Sequence, residues 1–111
     1  MSLESVNPAS GEVLATFEPH SAGEVDDRVA SAQDAWREWR RTSFATRAAV
    51  MNAAAELLER ERAELGRLMS REMGKPIRAA REEAAKCATA CRYYAANAER
   101  QGRSAPARAC R

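Results

Sequence analysis

Residues Ser70–Arg100, "SREMGKPIRAAREEAAKCATACRYYAANAER", decide the fold. They read as one helix that stops at Gly74 and a second that starts at Pro76. A glycine just past a periodic stretch is a common left-handed helix stop. A proline cannot continue the first helix and suits the first turn of the next. From there Ile77, Ala80, Ala84, Cys87, Cys91, Tyr94 and Ala98 recur at steps of three, four, three, four, three and four. That spacing predicts a heptad-like seam down one side of a long helix. Most seam residues are small, so a partner can approach closely. Glu82 and Lys86 stand four apart on another face and are expected to pair. Two helices with so little bulk between them imply that their main packing partner is not in this chain.

The residues before this stretch follow the same logic. Val6 and Val13–Phe17 are β-prone runs on either side of "NPASG", which carries the residues of a turn. A hairpin is expected there, and an isolated hairpin is marginal in water. Ser21 and Glu24 have the spacing of a capping box. Glu24, Asp26 and Asp27 fall in the first turn of the predicted helix, and Arg37, Arg40 and Arg41 in the last, which suits the helix dipole. Val25, Val29, Ala32, Trp36 and Trp39 form one apolar stripe, with the tryptophans expected as core anchors. A further helix starts near Ser43, with Phe44, Ala48, Met51, Ala55 and Leu58 on one face. The charged run "ERERAEL" marks a break near residue 61. Leu65, Leu68, Met69 and Met73 then continue to Gly74 as expected packing residues.

Composition bounds what these elements can build. At 111 residues the chain holds one domain at most. Hydrophobic residues make up 45% of it, but leucine, isoleucine, valine and phenylalanine together number only 14. Alanine offers little area to bury, so the core is expected to be marginal. The net charge of +2 argues against a disordered chain. From Arg100 to Arg111 there are four arginines and no acid. Residues 101–111 lose all periodicity and are expected to form a disordered basic tail. They resemble no nucleic-acid-binding motif, and no aromatic residue lies among the arginines, so no nucleic-acid partner is expected. There is no secretory leader and no apolar run of membrane-spanning length, so no membrane partner is expected. Three cysteines at irregular spacing make no disulfide framework, which points to a reducing cytoplasm.

The chain does not look catalytically complete. Its five glycines, at 11, 23, 66, 74 and 102, stand too far apart for a phosphate-cradling loop. His20 is the only histidine, so no second imidazole stands ready for a nucleophile relay. Cys87 and Cys91 stand one turn apart, but four-coordinate zinc needs two more ligands. Cys110 and His20 are poor candidates for them. The two thiols are expected as small buried seam residues, and no metal site is expected. The carboxylates sit among lysines and arginines and read as solvated helix faces.

Three stretches carry a resemblance. "VNPASGEVLATF" resembles the N-terminal hairpin of the aldehyde dehydrogenase superfamily. "ATRAAVMNAAAELLERERAEL" is similar to that family's long Arg-led helix. Glu72-Met73-Gly74-Lys75-Pro76, with Lys86-Cys87-Ala88 and Arg92-Tyr93-Tyr94-Ala95, resembles its E-x-G-K-P junction and the helix that follows, most narrowly as in bacterial succinate-semialdehyde dehydrogenases of the NADP-linked kind. The resemblance covers roughly residues 5–100. It implies the N-terminal segment of a cofactor-binding domain: a mostly α piece with an N-terminal β-hairpin, belonging to an α/β, Rossmann-like fold.

The resemblance also implies a chemistry. In that family a cysteine thiolate attacks an aldehyde, hydride passes to NAD or NADP, and a glutamate base assists hydrolysis of the thioester. An asparagine side chain and a backbone amide hold the oxyanion. The family's catalytic and cofactor-phosphate residues lie C-terminal to the matched region, so none of Cys87, Cys91 and Cys110 corresponds to the nucleophile. No catalytic or cofactor-binding residue is carried over, and this chain alone is expected to bind no cofactor and to be inactive. The resemblance implies one substrate residue, Lys86, placed to attract a substrate carboxylate. The full-length form is expected to be a homo-oligomer acting on a small aldehyde; after Arg100 the sequence departs from the family, which implies a truncated or frame-shifted fragment. The rival reading is a non-enzymatic helical interaction module whose small-residue seam pairs with another protein.

Overall fold

A computed structural model describes residues 2–104. Two antiparallel strands, β1 (Leu3–Val6) and β2 (Val13–Phe17), precede four helices: α1 (Ala22–Trp39), α2 (Phe44–Arg60), α3 (Arg62–Met73) and α4 (Ile77–Ser104). The chain is therefore mostly helical with an N-terminal hairpin. In the hairpin Leu3 faces Phe17 and Ser5 faces Ala15, with an irregularity before Val6 pairs with Val13. Gly11 closes the turn at φ 73°, where a side chain would be strained.

Helix boundaries follow local chemistry. At the start of α1 the Ser21 Oγ accepts from the Glu24 amide at 3.3 Å, and the Glu24 carboxylate accepts from the Ser21 amide at 2.8 Å. This reciprocal cap satisfies two amides that a helix start leaves unpaired. Ser43 caps α2 by accepting from the Thr46 amide at 3.0 Å. Glu61 interrupts the α2–α3 run with φ −99° and ψ 7°. Gly74 ends α3 in the left-handed conformation, φ 69°. The Pro76 carbonyl accepts from the Ala80 amide at 2.9 Å and so opens α4.

Packing is confined to one part of the chain. α4 packs against both α2 and α3. The buried apolar residues among those described are Ala55, Ala80, Ala84 and Ala88. Gly66 of α3 is also buried, because a Cβ there would lie 2.8 Å from Arg81 Cγ. α2 meets α4 with its half-buried Met51, Ala54 and Leu58 around Ala55. Glu59 of α2 takes both Arg92 guanidinium nitrogens of α4, at 2.6 and 2.8 Å.

The molecule exposes far more surface than its mass requires. Its accessible surface is 8978 Å², where a folded monomer of this mass would show roughly 6100 Å². Its radius of gyration is 18.7 Å, where a compact domain of this length has about 13 Å. Large apolar residues are among those exposed: Leu3, Phe17, Val25, Val29, Trp36 and Trp39.

Four sequence expectations need correction. The α1 stripe forms, but no residue of α1 is buried, and the two tryptophans are about half exposed rather than core anchors. Trp36 instead carries the Arg40 guanidinium 4.9 Å from its ring centre. The α4 seam does not keep its heptad: beyond Ala84 the burial passes to Ala88, Cys91, Ala95 and Ala98, while Cys87 and Tyr94 are exposed. An α-helix turns every 3.6 residues, so a strict 3.5-residue pattern drifts off a straight partner. Leu68 and Met73 of α3 are exposed, because α4 covers only the Gly66 side of that helix. Finally, α4 runs to Ser104, past the point where the tail was expected to begin. Gly102 lies against Phe44, where a Cβ would come within 3.2 Å of the ring. The remainder of the expected tail, with Cys110, lies outside the described residues.

Candidate functional site

The residues of the Glu72–Pro76 motif each hold a position at the α3–α4 junction. The Glu72 carboxylate accepts from Ser5 Oγ of β1 at 3.1 Å. A Cβ on Gly74 would come within 3.1 Å of the Pro8 ring, so the hairpin turn sits directly on this corner. Ser70 Oγ donates to the Lys75 carbonyl at 2.7 Å, and Lys75 Nζ reaches across the corner to Glu83 of α4 at 3.1 Å. The motif thus ties hairpin, α3 and α4 together. Each of these polar contacts is made within the corner.

Lys86 stands one turn further along α4 and is exposed. Its expected partner is taken, because Glu82 accepts from Arg78 Nε at 3.1 Å. Arg78 lies one turn before Glu82, and its guanidinium forms two-pronged contacts more readily than an ammonium does. The Lys86 charge acts instead on Glu83, whose carboxyl is held below its ordinary range first by the hydrogen bond from Lys75, then by the charges of Lys75 and Lys86. Lys86, Ala90, Tyr93 and Asn97 recur at steps of four, three and four, which marks a second face of α4 away from the alanine seam. On that face Tyr93 Oη accepts from Gln101 Nε2 at 3.0 Å, and the Tyr93 carbonyl accepts from Asn97 Nδ2 at 2.8 Å. Tyr93 and Tyr94 meet edge to face with ring centres 5.4 Å apart.

Arg47 has a role that sequence reasoning missed. Its guanidinium donates to Thr42 Oγ1 at 3.1 Å and to the carbonyls of Arg40 and Thr42, each at 3.0 Å. It therefore satisfies carbonyls freed at the end of α1 and fixes the turn into α2. An arginine leading a helix was visible in the sequence, but the carbonyls it serves are placed by the turn.

Of the glycines, Gly74 meets the hairpin, Gly66 meets Arg81 and Gly102 meets Phe44, whereas Gly11 and Gly23 have open space around them. Among the described residues no three histidine, cysteine, aspartate or glutamate side chains converge on one point. No helix among the described residues is long and apolar enough to cross a membrane.

Residues 1–110 match the aldehyde dehydrogenase family. The chain is 46% identical over 99 residues to the succinate-semialdehyde dehydrogenase [NADP(+)] of Mycobacterium leprae, an alignment covering 89% of this chain and 22% of that protein. Its fold superposes with a TM-score of 0.85 on the NADP-dependent glyceraldehyde-3-phosphate dehydrogenase of Bacillus halodurans, at 31% identity, covering 90% of this chain and 21% of that one. The succinic semialdehyde dehydrogenase of Streptococcus pyogenes superposes with a TM-score of 0.82 at 28% identity, covering 87% of this chain and 22% of that one. The chain thus spans about a fifth of the length of these relatives. A hairpin seated on a Gly-Lys-Pro corner and a long alanine-seamed helix, matched over nearly every residue, place this chain in the aldehyde dehydrogenase family.

Proposed function

We propose that this chain is the N-terminal part of an enzyme that oxidises succinate semialdehyde to its carboxylic acid with NADP or NAD, and that the 111-residue polypeptide has no turnover by itself. The observation that carries the substrate is the 46% identity to the Mycobacterium leprae enzyme over 99 residues. The surface excess supports the second half of the reading. Exposed apolar residues on the hairpin and α1 are what a segment shows when the sheet it belongs against is supplied elsewhere. Purified 111-residue chain, mixed with succinate semialdehyde and either nicotinamide cofactor, is expected to give no cofactor reduction. Measurable reduction would contradict the proposal directly.

Within that reading Lys86 attracts the substrate carboxylate. Among the described residues no carboxylate is hydrogen-bonded to it, and Glu82 and Glu83 are engaged by Arg78 and Lys75. The test is a chimera in which residues 5–100 replace the matching segment of a full-length relative. There Lys86→Ala is expected to raise KM for carboxylated aldehydes about fivefold, the worth of one weakly screened charge contact, and to spare neutral aldehydes. Equal effects on both substrate types would end the assignment.

A further inference from the structure

Cys87 and Cys91 are both free thiols on α4, one turn apart. The seam drift has separated their environments: Cys87 is exposed and Cys91 half-buried beside the alanine packing. Their chemistry is therefore accessible from solvent, with one sulfur held on a packed helix side. Lys86 and Arg92 flank the pair in sequence. Arg92 is anchored by Glu59 and lies within electrostatic reach of Cys91.

Helix geometry decides what two such thiols can do together. Side chains four apart on a helix have Cβ atoms about 5–6 Å apart. A disulfide needs them at roughly 3.5–4.5 Å, so oxidation of this pair would have to distort α4. A single soft atom between the sulfurs relaxes the constraint. Thiolates bond a soft ion at about 2.3 Å, so one atom with two such bonds holds its sulfurs roughly 3.5–4 Å apart. That separation is reached from the two Cβ positions without unwinding the turn. Zinc would still need two more ligands, and among the described residues no third group converges on the pair. A ligand that asks for only two sulfurs is the one that fits.

We propose that Cys87 and Cys91 form a two-thiol clamp for a monosubstituted trivalent arsenical. The reaction is a substitution with no redox change. Two As–O bonds of the hydrated arsenical break and two As–S bonds form. Each thiol gives its proton to a departing hydroxyl, so two waters leave. The product is a ring that staples one turn of α4, and it should raise helix stability because the ligand binds the folded turn best.

The experiment uses the 111-residue chain and phenylarsine oxide as the probe. Intact-mass spectrometry is expected to show one arsenical per chain, retained against excess monothiol and removed by a small dithiol. Cys87→Ser and Cys91→Ser are each expected to weaken retention by roughly hundredfold or more, the loss of a chelating second arm. Cys110→Ser should leave retention unchanged. Circular dichroism provides the second readout: the arsenical should raise the melting temperature of wild type and of Cys110→Ser, and of neither helix variant. The proposal is overturned if wild type fails to hold the probe against monothiol. It is equally overturned if either serine variant on α4 holds it as well as wild type, or if Cys110→Ser abolishes retention.

Discussion

α1 and α4 make opposite use of their sequences. α1 has the stronger local signals: a reciprocal cap, complementary charges at its ends and a stripe with two tryptophans. Yet none of its residues is buried. α4 lines its buried side with alanine, and the buried apolar residues gather where it packs against α2 and α3. Local chemistry is enough to specify a helix, whereas packing depends on whether a complementary surface is present. Small residues succeed in α4 because they let neighbouring backbones approach, as Gly66 does against Arg81. Large ones in α1 stay in water because no other element among the described residues buries them.

The largest effect should come from disturbing the packed side. Ala88 is fully buried, and Ala88→Leu is expected to cost about 1–3 kcal/mol or more by overpacking. The matching change on the open helix, Val29→Leu, should stay within about 0.5 kcal/mol. Amide hydrogen exchange reads both, and similar losses of protection would erase the distinction between the helices. An intermediate effect is expected from Ser21→Ala, which removes the cap of α1 and should cost about 1 kcal/mol. Because α1 is little packed, faster exchange should be confined to it. Faster exchange spreading into α4 would show that the two are coupled.

The smallest effect sharpens the comparison from the α2–α4 side. The Glu59 carboxyl is held below its ordinary value of 4.5, chiefly by the hydrogen bond from Arg92 and then by the charges of Arg92 and Arg62. A lowered carboxyl pKa contributes stability that is present above the unfolded value and is lost as pH falls through the folded one. Wild type should therefore melt above Glu59→Gln at neutral pH, and the gap should close only below about pH 4.5. Glu24 and Glu83 are common to both proteins and drop out of the difference. A gap that persists undiminished into strong acid would show that the pair is not what joins these helices.

Much of the candidate site was legible beforehand. The stop at Gly74, the start at Pro76, the break near residue 61 and the Ser21 cap all rest on chemistry within a few residues, and each is where the sequence puts it. The pairing of Glu82 was misjudged because two cations stand four residues away from it, Arg78 and Lys86, and spacing alone does not choose between them. The Lys75–Glu83 contact was not visible, since it spans the corner that the left-handed glycine creates.

The sequence by itself determined which segments are helix or strand, most of their boundaries, and the family to which they belong. Those properties reside in caps, breakers and periodicity, which act over a turn or two of chain. Tertiary structure alone decided which face of α4 is buried, that Lys75 meets Glu83 across the corner and that the tryptophans of α1 remain in water. Burial is a property of two surfaces at once, and a pattern on one helix states only half of that pair.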